Sequence, residues 1–425
     1  MSLRLIRGAQ VVAPEGIAQA DVLLQGEWII AVAPRLAAGG AEIIEAGGLC
    51  ALPGGIDAHV HLRDPGATHK EDFTSGTRAA LAGGVTTVLD MPNTPEPTTT
   101  ASSFAAKVQL GESRACCDFG LYIGATAGNT TETASVEDAV GLKLYMGSTT
   151  GTLLVADLEG QRRHFEAYPA TQPLAVHGED EEAVRLFGDR ERRPSVCAEL
   201  AAGRAIALAR RAGRRLHLCH ISTRAELELV ALAKRQGLPV TCEVTPHHLF
   251  LTKDDEEALG PLALMNPPLR GVEDAEALWA GLDSVDLVAS DHAPHTLQEK
   301  HSDRPPPGVP GLETTLPLLL DAAITGRLAL TEVARLTACA PAAVFSLPRK
   351  GRIAPGYHAD IVLFDPTGST LLGERPYTKC GWSPFAGRRT RGRIVRVILR
   401  GRDAAVEGKV VAEPGWGRFL APSHA

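Results

Sequence analysis

The chain has 425 residues, of which 44% are hydrophobic and 22% are charged, an ordinary composition for a soluble globular protein. Its formal net charge of −7 argues against nucleic acid as a partner, because surfaces that bind nucleic acid are usually basic. No basic-then-apolar leader opens the chain and no apolar run approaches membrane-spanning length, so we expect a cytoplasmic protein that contacts no membrane.

The first 53 residues alternate short β-type runs with turns, and no amphipathic helix of useful length separates them. This pattern predicts a small antiparallel sheet. The predicted strands are residues 3–12, 21–24, 28–32 and 43–45.

The pattern changes at about residue 54, where apolar strand-like runs begin to alternate with helical patterns such as 72–82, 196–211 and 223–235. Most of the strand-like runs are apolar throughout, as expected for parallel strands that are buried on both faces. The eight predicted strands are 55–61, 86–90, 119–124, 141–145, 173–177, 215–220, 240–244 and 285–290. Eight strands separated by helices predict a (β/α)8 barrel of the TIM type.

The β-type pattern returns after residue 347, at residues 360–364, 393–399 and 406–411. The simplest arrangement joins both chain ends into one small β-sandwich beside the barrel. We therefore predict two domains, a composite β-sandwich of residues 1–53 and 347–425 and a barrel of residues 54–346.

The stretch GIDAHVHLRDPG, residues 55–66, places His59 and His61 on one face of the first barrel strand, because side chains along a strand repeat every two residues. An isolated His-x-His pair is most often structural. The pair becomes informative only if further ligands follow at the ends of other strands.

Such residues do follow. In a (β/α)8 barrel the chemistry collects at the carboxyl ends of the strands. Lys143 lies in the fourth strand, His177 and His220 end the fifth and sixth, and Asp291 follows the eighth. Imidazole and carboxylate groups are ligands that zinc accepts. Six such residues at five strand ends predict a metal site.

Several longer motifs carry a family resemblance. They include residues 68–94 (THKEDFTSGTRAALAGGVTTVLDMPNT), the short motifs VHGED, CHIST, NPPLR and SDHAPH, and residues 351–365 (GRIAPGYHADIVLFD). With them the chain resembles the cyclic amidohydrolases of the amidohydrolase superfamily, and within them the dihydroorotases, over nearly its whole length. The resemblance implies a reversible, zinc-dependent cyclisation of N-carbamoyl-L-aspartate to dihydroorotate, the third step of pyrimidine biosynthesis.

The resemblance also implies a ligand set for two zinc ions. His59, His61 and Asp291 would hold one ion, and His177 and His220 the other. A carbamate formed on Lys143 by carbon dioxide would bridge them, and Asp291 would also shuttle the catalytic proton. Many bacterial relatives have an aspartate in place of this lysine, but GLKLYMGSTTG resembles the lysine-bearing branch.

Substrate contacts follow from the same resemblance. Arg63, Asn93, Asn266 and His295 match family residues that bind the carboxylate and ring amides of the substrate. A threonine of the loop after Lys143 would touch substrate; Thr149 is at the expected position, and Thr150 is the alternative. The other interpretation of this loop is two hydroxyl groups in a flexible Gly/Ser/Thr segment.

Two further expectations concern residues near the site. Gly311, at the end of the proline-rich segment 303–311, is expected to shape the substrate pocket through backbone groups. His247 and His248 follow the seventh strand, where the family uses no metal ligand, so we expect them to be structural or to support the ligands without touching the metal.

Two alternatives stay open. The first is a cyclic amidase acting on hydantoin or allantoin rings, against which Arg63 and His295 argue. The second is an inactive scaffold for aspartate transcarbamoylase, which the complete ligand set opposes. We expect a small-molecule substrate and a homodimer, and an association with aspartate transcarbamoylase is compatible with an active enzyme.

Overall fold

The structure is a computed structural model that describes residues 3–374 and 376–423, with the backbone alone for residues 188–191. Residues 1, 2, 375, 424 and 425, which belong to the predicted β-sandwich domain, lie outside the described residues.

The amino-terminal part of the chain forms five strands. They are β1 (Leu3–Ala13), β2 (Gly16–Gln25), β3 (Trp28–Ala33), β4 (Glu42–Glu45) and β5 (Cys50–Pro53). The first three pair antiparallel, as predicted, but β4 and β5 both run parallel to β1. The expectation of a purely antiparallel sheet was wrong, because residues 34–41 carry the chain back across the sheet before β4 begins.

The barrel strands follow. They are β6 (Gly55–Val60), β7 (Val85–Asp90), β8 (Asp118–Leu121), β9 (Ile123–Gly124), β10 (Leu142–Tyr145), β11 (Leu174–His177), β12 (Leu216–Leu218), β13 (Val240–Val244) and β14 (Leu287–Val288). Neighbouring strands are parallel, and the bridge between Val60 and His292 joins the first strand to the segment after the last. The predicted third strand is interrupted at Tyr122, whose hydroxyl donates to the Ala58 carbonyl across the barrel at 2.9 Å.

The helices connect these strands and cover the barrel. They are α1 (Phe73–Ala82), α2 (Ala101–Arg114), α3 (Thr130–Ala134), α4 (Leu158–Ala167), α5 (Glu181–Glu191), α6 (Ser195–Ala212), α7 (Arg224–Arg235), α8 (Pro246–Phe250), α9 (Glu256–Leu259), α10 (Val272–Ala280), α11 (Leu297–Lys300), α12 (Thr315–Ile324), α13 (Leu330–Ala334) and α14 (Ala340–Val344). The three helices predicted from periodicity, now α1, α6 and α7, are confirmed to within one residue at each end.

Capping boxes at Asp72 and Thr223 start α1 and α7 by satisfying their first free amides. In the described part of the chain, none of the helices has the length and apolar character needed to span a membrane.

The carboxyl-terminal strands are β15 (Ile361–Leu371), β16 (Arg389–Leu399), β17 (Arg402–Val406) and β18 (Lys409–Val410). β15 pairs antiparallel with β5, so that within residues 3–374 and 376–423 both chain ends share one nine-stranded sheet. The strand predicted over 406–411 is instead the hairpin β17–β18, because Glu407 and Gly408 turn the chain with φ values of 48° and 75°. We propose domain boundaries near residues 53 and 347.

The barrel strands carry few exposed side chains. Every residue of β6, β7, β10, β11 and β12 is buried, as expected for a parallel sheet covered by helices. A buried side chain at the carboxyl end of such a strand can therefore point only into the barrel mouth or into the helical layer. This confines the polar strand-end residues to a small volume.

Candidate active site

The predicted site residues converge at the mouth of the barrel. All six metal-ligand candidates line one cleft of about 380 Å³, together with Arg63, Asn93, Thr149, Thr150 and Asn266. Seven different strands or their following loops contribute to it, so the tertiary structure brings together residues as distant in sequence as His59 and Asp291.

His59, His61 and Asp291 form the tightest group. The Nε2 atoms of His59 and His61 lie 3.3 Å and 3.2 Å from the same Oδ1 atom of Asp291. Donors of a tetrahedral zinc site at the usual bond lengths of 2.0–2.1 Å are separated by about 3.3 Å. The spacing and the donor types therefore fit one metal ion.

His177, His220 and Lys143 lie beside this group. His177 Nδ1 is 2.9 Å from His220 Nε2, and the imidazole rings of His220 and His59 have centroids 5.3 Å apart. Lys143 is completely buried, and its ammonium group contacts the Cys219 thiol at 2.9 Å. No carboxylate of the described residues forms a salt bridge with Lys143. An isolated ammonium in the interior is costly, so this amine is suited to chemical neutralisation or to an anionic partner from outside the chain.

Burial sets the protonation of most of these ligands. It lowers the pKa of His61 to about 3 and holds the pKa values of His177 and His220 below the ordinary value. Burial by itself would raise the pKa of Asp291, but His59, His61 and His220 hold it well below its usual range. Three neutral imidazoles and an ionised carboxylate are the forms that bind a cation.

The pKa of His59 is shifted in the opposite direction from those of the other three histidines. Burial and Lys143 lower its pKa, but Glu243 and Asp291 outweigh them and raise it to about 10. His59 thus lies between two carboxylates that favour a positive charge at this position, as a bound metal ion would supply.

Two of the ligand candidates and one substrate-binding candidate have an unusual backbone. His220, Asp291 and Arg63 have φ values of 38°, 45° and 60°, in the left-handed region that residues with a Cβ atom rarely adopt. Such conformations persist where the surrounding structure imposes them, and they cluster at functional sites. Here they turn the side chains into the cleft immediately after the strands end.

Arg63 is buried in the cleft wall, and its positive charge is available to bind an anion. Its Nε atom donates to the Pro294 carbonyl at 3.2 Å, and Nη2 lies 3.3 Å from His295 Nε2. Among the salt bridges of the described residues none involves Arg63. His295 itself lies behind Arg63 rather than in the cleft lining, so its predicted contact with substrate would have to be indirect.

The loop after Lys143 reaches across the cleft. Thr150 accepts a hydrogen bond from Asn93 Nδ2 through its carbonyl at 2.9 Å, and its hydroxyl donates to the Pro307 carbonyl at 3.3 Å. Thr149 lines the cleft beside it and keeps the position predicted for the substrate-contacting threonine.

Gly311 lies outside the cleft, in contrast to the prediction. Its amide donates to His292 Nδ1 at 3.2 Å, and a Cβ atom there would lie 2.9 Å from Ser290 Cβ. The proline-rich segment crosses the cleft earlier, at Pro307 and Gly308, and then turns away where Val309 pairs with His292.

The family follows from comparison with known proteins. A model of the dihydro-orotase-like family matches residues 48–226, and a model of the amidohydrolase family matches residues 173–404, which is more than half of the chain. The chain belongs to the amidohydrolase family.

Individual amidohydrolase relatives span several activities. The chain is 36% identical to a dihydroorotase of Methanothermobacter thermautotrophicus over 90% of both chains, and 38% identical to an allantoinase of Rubrobacter xylanophilus over 99% of this chain and 98% of that one. It is 41% identical to the multifunctional protein CAD of Squalus acanthias over 87% of this chain, but it spans only 16% of that protein's length. The structure of an L-hydantoinase from Arthrobacter aurescens superposes with a TM-score of 0.95 at 29% identity, covering 99% of this chain and all of the other.

Glu243 is a site residue of this amidohydrolase that the sequence analysis missed. It lies on β13, is completely buried, and accepts hydrogen bonds from His59 Nδ1, from His217 Nε2 at 3.1 Å and from the His220 amide at 3.2 Å. The available signal was a glutamate inside a predicted barrel strand, residues 240–244. The structure also brings His59, Cys219 and Glu243 within 4.8 Å of one another as a second group able to hold a metal.

His248 shows why the histidines after β13 are poor ligand candidates. Its Nδ1 lies 2.7 Å from Thr245 Oγ1, and its Nε2 lies 3.2 Å from the Pro267 carbonyl, so both ring nitrogens have protein partners. This agrees with the structural role expected for His248.

Proposed function

We propose that this amidohydrolase is a dihydroorotase, which interconverts N-carbamoyl-L-aspartate and dihydroorotate. The observation that carries the proposal is Arg63. It is a buried guanidinium beside the metal-ligand candidates and has no carboxylate partner among the described side chains. A planar guanidinium binds a carboxylate through two parallel hydrogen bonds. Dihydroorotate carries such a carboxylate on its ring, whereas hydantoin and allantoin carry none.

The metal in this proposal is zinc, with two ions per chain. His59, His61 and Asp291 would hold one ion, and His177 and His220 the other. Lys143, after reaction with carbon dioxide, would bridge the two with the oxygens of its carbamate. Burial favours the neutral amine of Lys143, which can add carbon dioxide and release a proton, and the resulting anion would be compensated by the two cations. When bound, zinc supplies Lewis-acid chemistry that activates water and polarises a carbonyl.

Residues of the chain would then bind the substrate, orient the metal ligands and transfer the proton. Arg63 binds the ring carboxylate and orients the amide to be broken or formed. Asn93 orients His61, because His61 Nδ1 lies 2.7 Å from Asn93 Oδ1. This contact leaves His61 Nε2 facing the metal position. Asp291, whose low pKa keeps it ionised, accepts the proton of the attacking water and delivers it to the leaving ring nitrogen. In the biosynthetic direction the same carboxylate takes the proton from the carbamoyl nitrogen as the ring closes.

Allantoinase is the second candidate function, favoured by the 38% identical relative that the chain covers almost completely. The homodimer, the association with aspartate transcarbamoylase and the cytoplasmic location stay predictions.

One experiment separates these functions. Purified, zinc-loaded protein is assayed on dihydroorotate, hydantoin and allantoin, with and without bicarbonate, together with Arg63→Met and the control Arg162→Met, a half-buried arginine of α4 outside the cleft. We expect dihydroorotate to be hydrolysed far faster than the other two rings, and Arg63→Met to lose most of that activity while Arg162→Met retains it. Faster turnover of allantoin or hydantoin, or full activity of Arg63→Met on dihydroorotate, would contradict the proposal.

A further inference from the structure

Lys300, the last residue of α11, is buried close to the cleft and has an unusual set of partners. Its ammonium group donates to three carbonyls, those of Leu264 at 2.9 Å, Pro306 at 3.1 Å and Gly308 at 3.1 Å. None of the salt bridges in the described part of the chain involves Lys300. Its side chain is completely buried.

The three carbonyls belong to two different walls of the cleft. Pro306 and Gly308 flank Pro307 in the proline-rich segment, and both Pro307 and Gly308 line the cleft. Leu264 comes two residues before Asn266, which lines the cleft from the loop after β13. The Gly308 amide also donates to the Leu264 carbonyl at 2.9 Å. One ammonium group thus ties the loop after the seventh strand to the segment after the eighth.

The proline-rich segment depends on side-chain donors for its conformation. Three successive prolines, residues 305–307, have no amide hydrogen, so they cannot form the backbone pairs that hold most loops. Lys300 holds the carbonyls on either side of Pro307. The Pro307 carbonyl accepts from Thr150 and lies 3.1 Å from His295 Nε2. Besides the backbone bond of Gly308, three side chains hold this wall, and Lys300 makes the most contacts of the three.

Burying the ammonium group of Lys300 at this position costs desolvation free energy. Burial lowers the pKa of Lys300 to about 8, and an apolar side chain of similar length would avoid the desolvation. The charge also acts behind Arg63, because burial and then Arg63, Lys70 and Lys300 depress the pKa of His295, which lies behind Arg63. A positive group at this position favours an anionic ligand at Arg63.

We propose that Lys300 is a positioning residue for the carboxylate-bearing substrate. Its ammonium group fixes the Pro306–Gly308 wall against the Asn266 loop and adds positive potential behind Arg63. This inference rests on the proposed dihydroorotase function for its substrate, but the contact between Lys300 and the wall does not depend on that function.

The test compares Lys300→Met, Lys300→Arg and the control Lys350→Met in zinc-loaded protein. Lys350 is equally buried but pairs with Asp118 and Asp360, and it does not line the cleft. Each variant is assayed for kcat and KM on dihydroorotate, and amide hydrogen exchange is followed in peptides covering residues 260–266 and 301–312 without substrate.

For Lys300→Met we expect KM to rise about tenfold, because the wall that holds the substrate loses its ammonium anchor, with kcat changed little. Exchange should accelerate in both peptides. Lys300→Arg, which keeps the charge, should show a smaller rise in KM, and Lys350→Met should leave KM and the exchange of both peptides as in the unmodified protein.

A KM and peptide exchange of Lys300→Met equal to those of the unmodified protein would overturn the inference. A rise in KM of Lys350→Met as large as that of Lys300→Met would also overturn the inference, because it would indicate a general loss of stability. If Lys300→Met does not fold, Lys300→Arg decides through KM and exchange in the same way. If the unmodified protein does not hydrolyse dihydroorotate, the proposed function fails, and peptide exchange alone still supports or refutes the contact between Lys300 and the wall.

Discussion

Asn93 joins the metal-ligand group to the loop that crosses the cleft. Its Oδ1 atom lies 2.7 Å from His61 Nδ1, and its Nδ2 atom donates to the Thr150 carbonyl at 2.9 Å. A residue predicted only as a substrate contact therefore also contacts a metal-ligand candidate and anchors a loop. Orientation of this kind fixes which ring nitrogen of the histidine is free for the metal.

Replacing Asn93 by alanine removes both contacts. We expect kcat/KM for dihydroorotate to fall about 10–100-fold, because partners that orient metal ligands typically contribute that much to metal affinity or activity. Steady-state kinetics at saturating zinc measure the effect. Asn129→Ala is the control, since the Asn129 side chain donates to two carbonyls, those of Thr99 and Gly124, but does not line the cleft. Equal losses in the two variants would mean that Asn93 acts only on stability.

Lys143→Arg tests the carbamate. Arginine has a guanidinium in place of the amine and cannot form the carbamate, so we expect the protein to bind less zinc per chain and to lose dihydroorotate hydrolysis. In the unmodified protein, removal of carbon dioxide and bicarbonate before zinc loading should lower both zinc content and activity, and bicarbonate should restore them. Metal analysis and kinetics on the same samples give the result. Activity that is independent of bicarbonate and survives in Lys143→Arg would rule out the bridge.

Asp291→Asn separates metal binding from proton transfer. The amide oxygen can still face the metal, but asparagine cannot take up the proton, so we expect kcat to fall about 10²–10⁴-fold with most of the zinc retained. The exposed Asp303→Asn serves as the control for the removal of one negative charge near the cleft. Near-normal turnover of Asp291→Asn would refute the proton-shuttle role.

Glu243→Gln tests the residue that was missed from the sequence. Its carboxylate contacts His59 Nδ1 and helps to orient that ring, so we expect zinc affinity to fall about 10–100-fold, measured by competition with a chelator. Glu226→Gln is a matched control, because Glu226 is equally buried but binds Ser222 and Thr223 at the start of α7. Unchanged zinc affinity in Glu243→Gln would show that His59 is positioned by the strand alone.

The architecture was accessible from the sequence because its signals are local. Apolar runs at the barrel strands and capping residues such as Asp72 and Thr223 depend on neighbours within a few positions. The hairpin at Glu407 and the parallel pairing of β4 and β5 were not accessible, because they depend on backbone turns and on where the chain returns to the sheet.

The site shows the same division. Residue type and position at strand ends, together with the resemblance to dihydroorotases, were enough to name the six metal-ligand candidates and Arg63. Only the tertiary structure decided that Asp291 Oδ1 faces both His59 and His61, that Glu243 supports His59, and that Pro307 and Gly308 rather than Gly311 line the cleft. The physical reason is that strand periodicity determines which way a side chain points, whereas distances between side chains from separate strands depend on how the barrel closes and how its loops turn.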